Sequence, residues 1–230
     1  MTTKSMDSKA RRRFLSGVGI VASGAAGATL ATTANAADNI EPRFLAVKHT
    51  ADAWLNVPSA HRVFIDSSTT LGGITALNYA NNILFAHAED YDGAESDYSL
   101  VVCFRHQSTP FGFNDSIWAK YGEYFGNSLD FKDPNTGEHF VSNPLNQARS
   151  DFSNRGNTID SLISRGVSYA ICNKATRGLA GRLAGFSGGS ADDIFQDLKA
   201  NNIPNSRYVA AGIIATTRSQ EYGYSLLYAG

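Results

Sequence analysis

Among the side chains that can act as nucleophiles or move protons, Cys172 has the most telling setting. It closes an apolar run, Val167-Ser168-Tyr169-Ala170-Ile171-Cys172, and Asn173-Lys174-Ala175-Thr176-Arg177 follows as the first turn of a helix. A cysteine at such a junction meets unpaired backbone N–H groups and the positive end of the helix dipole. Lys174 and Arg177 add positive charge, and both effects favour the thiolate, the reactive form. The same position also suits an inert cysteine filling a small apolar slot. Arg105 and His106 stand directly after another buried run, Tyr98–Phe104, at the head of a loop dense in polar and turn-forming residues. A histidine there can shuttle protons or pair with a thiolate, and it can equally satisfy loop carbonyls. Cys103, between Val102 and Phe104, reads as core. A Cys103–Cys172 disulfide between neighbouring parallel strands demands awkward geometry, and the sequence leaves it open.

Other motifs carry less. The five histidines form no H-x-H or H-E-x-x-H pair, and Cys103-x-x-His106 is half a site, so no metal is expected. Gly185-Phe186-Ser187-Gly188-Gly189 has the G-x-S-x-G spacing but follows a helical pattern, so it reads as a glycine-rich helix stop and not as a nucleophile elbow. Thr70-Leu71-Gly72-Gly73-Ile74-Thr75 is similar to part of the phosphate loop of flavodoxins; ordinary helix capping explains the same residues. No cofactor is assigned from it, and flavin binding is the least favoured reading.

To bring these residues together the chain must alternate strands and helices, and it does. His61–Asp66, Tyr98–Phe104, Val167–Cys172, Tyr208–Ala215 and Tyr224–Tyr228 read as strands. Helices are expected at 73–90, from Asn114 through Tyr124, at 158–165, 175–184 and 190–201, with a helical turn or two at 216–222. Residues 127–150 break the rhythm: the turn cluster Asp133-Pro134-Asn135-Thr136-Gly137 is flanked by aromatic residues and reads as an inserted hairpin or lid. Because each parallel connection needs a crossover, the pattern predicts a three-layer α/β/α sandwich with a mainly parallel sheet of about five strands. Ligands in such sheets gather at the carboxyl ends of the strands, here the loops after Asp66, Phe104, Cys172 and Ala215.

Residues 1–36 read as an address. Ala10-Arg11-Arg12-Arg13-Phe14-Leu15-Ser16 is similar to the twin-arginine export consensus, a weakly apolar stretch follows to Ala34, and Ala34-Asn35-Ala36 offers a small-x-small cleavage site. The expected location is therefore the periplasm, with the signal removed near Ala36, a leader at 37–60 and one domain at 61–230. The removed segment holds Lys4, Lys9, Arg11, Arg12 and Arg13 against Asp7, which leaves 15 basic and 20 acidic residues, a net of −5. That balance argues against nucleic acid as a partner, and no run after the signal is apolar enough to span a bilayer.

Two blocks carry a family resemblance. Leu162–Cys172 is similar to the "helix, G-V, apolar strand, Cys" block of the DsrE/DsrF-like proteins. Val209-Ala210-Ala211-Gly212-Ile213-Ile214-Ala215, with Gln220 and Gly223-Tyr224, is similar to their C-terminal block. Thr109-Pro110-Phe111-Gly112 and Asn114-Asp115 resemble an exported branch of the family. The resemblance covers roughly residues 60–230. It implies a flavodoxin-like parallel sheet, assembly into homo-oligomers, and a strand-three cysteine that carries a persulfide from a sulfur-donor protein to an acceptor. That role falls on Cys172, with Lys174, Arg177, Arg105 and His106 shaping its site. The other reading is a non-catalytic small-ligand-binding or assembly module of the same fold.

Overall fold

A computed structural model of the protein describes residues 46–148 and 154–230. The twin-arginine segment and the cleavage site near Ala36 lie outside the described residues.

Five strands form one all-parallel sheet: β1 (His61–Ser67), β2 (Tyr98–Phe104), β3 (Ser168–Cys172), β4 (Ser206–Val209) and β5 (Ser225–Ala229), in the order β4-β3-β2-β1-β5. The helices are α1 (Thr70–Asp90), α2 (Asp115–Leu129), α3 (Ile159–Ile163), α4 (Asn173–Ser187), α5 (Ala191–Ala200) and α6 (Gly212–Glu221). The architecture is the expected three-layer α/β/α sandwich. From β1 to β4 every connection steps the same way across the sheet, and right-handed crossovers put α1 to α5 on one face. The last connection reverses, so α6 lies on the other face.

The two faces are unequal. Val63, Ile65, Leu100, Val102, Phe104 and Tyr169 point into a large core against α1 to α5, where Trp118 is sandwiched by Phe111 and Phe125. Phe64, Val101, Cys103 and Ala170, the alternate residues of the same strands, point into a smaller core closed by Ala215 and Tyr222 of the α6 segment and by Leu55. Leu55 ends a short 3-10 turn at Thr50–Leu55, so the chain ahead of β1 packs as part of this thinner layer. Three apolar strands buried on both faces explain why β1, β2 and β3 read as continuous apolar runs.

Two elements differ from expectation. The run Tyr208–Ala215 is not one strand: β4 ends at Val209 and α6 begins at Gly212. Periodicity cannot separate a short buried strand from the first turn of a buried helix when both are apolar. The loop at the carboxyl end of β4 therefore starts after Val209, not after Ala215. Residues 127–148 contain no strand. The turn at Asp133–Gly137 forms, with Gly137 N–H donating to Asp133 O at 2.8 Å and a left-handed φ of 73° at Gly137. The chain then returns along α2, where the Phe140 carbonyl takes the space a side chain on Gly122 would need. Asn143 fastens it, donating to the carbonyls of Phe111 and Phe113 at 2.9 and 2.8 Å.

Candidate functional site

The carboxyl ends of β1, β2 and β3 meet under two short connections. After β2, His106–Gly112 forms a 3-10 turn that is pinned from inside by Ser108. The Ser108 hydroxyl is fully buried, accepts the Arg105 N–H at 3.0 Å and lies 3.0 Å from the Ser67 hydroxyl. Trp118 Nε1 donates to Pro110 O at 3.1 Å. His106 opens this turn in the left-handed region, φ 54°, a conformation that costs about 1 kcal/mol or more for a residue with a Cβ. Its Nδ1 lies 3.3 Å from the Ser68 carbonyl. A carbonyl only accepts, so that contact requires the proton on Nδ1 and leaves Nε2 of the neutral ring as an acceptor.

After β3 the helix begins at once. Cys172 is the N-cap of α4, and its Sγ accepts the Ala175 N–H at 3.3 Å. The thiol is free, as is that of Cys103, and Cys172 is 7% exposed. Thr176 closes the same turn by donating to Cys172 O at 2.9 Å. The junction that the sequence indicated is thus present, with an N–H aimed at the sulfur.

The five expected site residues do not form one cluster. Strand alternation puts Cys172 on the side of Ala170 and Cys103, toward α6. Arg105 is on that side too, but it is committed: Nε and Nη2 donate to the two carboxylate oxygens of Asp66, both at 2.7 Å. This bidentate pair raises the Arg105 guanidinium above its ordinary range through the Asp66 hydrogen bond, and Gly212 at the start of α6 packs directly on the Arg105 stem. Burial, then the Asp66 charge, pushes the Cys103 thiol well up, which makes Cys103 inert core. Arg177 lies away from the sulfur, paired with Asp192 at 2.7 Å and stacked over the Phe195 ring at 3.7 Å.

His106 and Lys174 lie on the opposite side, where they share the wall of a crevice of about 410 Å³ between the His106–Gly112 turn, α2 and α4. Cys172 does not line it, though its hydrogen-bond donor Ala175 does.

Two contributors went unassigned in the sequence. Asp66 ends an apolar strand, and a carboxylate there requires a cation; that demand was a legible signal for its pairing with Arg105. Arg182 stands two helical turns beyond Lys174, on the same face of α4, and that face could be read as a crevice wall only once α2 and the His106–Gly112 turn were seen packed opposite it. The glycines of the phosphate-loop-like segment serve packing: Thr69 Oγ1 caps α1 by accepting the Gly72 N–H at 2.8 Å, and the Ala229 carbonyl occupies the space a side chain on Gly72 would take. No group of three or more His, Cys, Asp or Glu side chains is placed to hold a metal among the described residues, and no helix among them is long and apolar enough to cross a membrane.

Fold and site together define an α/β/α protein with an N-capping cysteine at the carboxyl edge of a central strand. Compared with known proteins, the chain matches no family model and no curated sequence.

Proposed function

We propose that this protein is a periplasmic sulfur carrier of the DsrE-like kind, with Cys172 as the atom that holds the sulfur. The observation that carries this reading is the N-cap geometry: the Ala175 N–H directed at Sγ, at the head of a helix of fifteen residues. A persulfide on Cys172 would place its charge at that end of the helix, where backbone donors and the dipole favour it. The transfer is an exchange. The Cys172 thiolate, its proton given to solvent, attacks the outer sulfur of a donor persulfide; the donor S–S bond breaks, the donor leaves as thiolate, and a new S–S bond forms at Cys172. An acceptor thiolate then takes the outer sulfur and Cys172 departs as thiolate, with no net oxidation. Arg105 serves this site through Asp66 as a structural clamp, and Arg177 and Lys174 do not touch the sulfur.

Assembly into a homo-oligomer belongs to the same reading. The edge strand β5 supports it, because it shows Leu226, Leu227 and Tyr228 to solvent with no charge or proline to protect the edge.

The test is sulfur transfer from a small-molecule persulfide, through the protein, to an acceptor thiol. Cys172→Ser should reduce the protein-dependent rate to background, while Cys103→Ala keeps it. Equal rates for wild type and Cys172→Ser would reject the assignment. A second reading, a small-ligand-binding module, is favoured by the crevice beside His106 and Lys174, which excludes the sulfur.

A further inference from the structure

The crevice has a chemistry of its own. Lys174, Gly178 and Arg182 recur every four residues along α4, so they share one face of the helix. Gly178 carries no side chain, which leaves a bare patch of helix between two cations. A Cβ there would meet nothing closer than Arg182 Nη1 at 3.6 Å. His106 and Gln107 face this stripe from the turn after β2, and the lining includes no Asp or Glu. Among the described residues neither Lys174 nor Arg182 has a carboxylate partner, whereas Arg105, Lys120, Arg165, Arg177 and Arg218 each do. The opposing term is the C-terminal end of α2, which brings Ser128 and Leu129 to the wall with about half a negative charge. Two full cations outweigh it. The remaining surface is apolar: Pro110, Tyr124, Leu129 and Leu179. The volume falls in the range that takes a small organic molecule.

We infer that this crevice is a binding site for a small organic anion, with its acidic group between Lys174 and Arg182 and an apolar, ring-sized body against Tyr124, Leu129 and Leu179. The acidic group can be a sulfonate, phosphate or carboxylate, since the Lys174 ammonium and the Arg182 guanidinium donate to the oxygens of any of them. The site makes no use of Cys172, so it stands whether or not the cysteine carries sulfur.

A matched pair of fluorescent probes tests it: anilinonaphthalene sulfonate, and N-phenylnaphthylamine, the same body without the sulfonate. The native protein should bind the sulfonate more tightly by about tenfold, the scale of one charge-assisted contact, and added salt should shrink the difference. Lys174→Gln with Arg182→Gln should bring the two affinities together. Lys174→Arg with Arg182→Lys, which keeps both charges, should preserve the preference and controls for damage to α4. Gly178→Trp, which fills the gap, should abolish binding of both probes. Equal affinity of the wild type for the two probes would overturn the inference. So would a preference that survives loss of both charges, is lost equally in the charge-keeping pair, or persists in Gly178→Trp.

Discussion

At the scale of single residues, the Asp66–Arg105 pair governs the α6 side of the carboxyl edge. The two partners differ in burial: the Asp66 side chain is 6% exposed and that of Arg105 is 22% exposed. Removing the arginine strands a buried carboxylate beside Cys103, while removing the carboxylate leaves a guanidinium that can reach water. Arg105→Ala should therefore cost about 3 kcal/mol of stability and Asp66→Asn about 1–2 kcal/mol, read from urea denaturation. The reverse order would show that the unpaired guanidinium, and not the buried carboxylate, is the costlier orphan. Cys103 makes a pH prediction. Its thiol is raised well above the ordinary range in the folded protein, mainly by burial. The stabilisation is complete below the unfolded value, about 8.5, and is lost as pH rises above it, because only the unfolded chain ionises there. Melting temperature should fall with pH above that value, and Cys103→Ala should flatten the fall irrespective of its own baseline. A slope unchanged by the substitution would assign the alkaline loss to other groups, such as the buried Tyr169 phenol, which burial also raises.

At the scale of elements, the glycines separate close contact from open helix. Gly72 lets α1 start directly beneath the Ala229 carbonyl of β5, and Gly72→Ala would drive its Cβ into that backbone oxygen. A cost of about 2–3 kcal/mol is expected, with amide exchange in β5 accelerated first. Gly181, in the exposed middle of α4, has nothing within 4 Å of its missing Cβ. Gly181→Ala should stabilise by about 0.5–1 kcal/mol through helix propensity alone. A stabilising Gly72→Ala in thermal melts would contradict the packing of β5 on α1, and a destabilising Gly181→Ala would contradict the open face of α4. These glycines also mark what the sequence concealed. Gly72-Gly73 looked like part of a phosphate loop because a tight approach to a ligand and a tight approach to a neighbouring carbonyl demand the same residue.

At the scale of the whole molecule, the sheet was legible and the site only in part. β1, β2 and β3 are buried on both faces, so each reads as an apolar block with turn residues behind it. β4 was blurred into α6 because Val209 to Ala215 is apolar throughout, and only three-dimensional packing ends the strand. The rule that ligands gather at strand carboxyl ends selected Cys172, Arg105 and His106 correctly as edge residues. Which face of the sheet each would serve depends on alternation through exact strand ends, and that divides Cys172 and Arg105 from His106 and Lys174. Of the inserted segment 127–150, the described residues 127–148 kept their turn, with Asp133 N–H donating to Glu138 O at 2.9 Å across it, but formed no strand, because the return limb packs on α2 at Gly122 and is fastened through Asn143. The exposed apolar row on β5 makes a prediction at this scale. Light scattering should report more than one copy per particle, and Leu227→Lys on the edge should shift it toward the monomer; a monomeric wild type would remove assembly from the account.

The central claim is that Cys172 accepts sulfur while the protein is folded. The most direct measurement treats the native protein with a small persulfide donor, blocks with an alkylating agent, and locates the mass by peptide. The account predicts an added sulfur atom on the Cys172 peptide, removable by reductant, with Cys103 unmodified until denaturant is added. Cys172 found unmodified in the folded protein, and alkylated only after unfolding alongside Cys103, would contradict it.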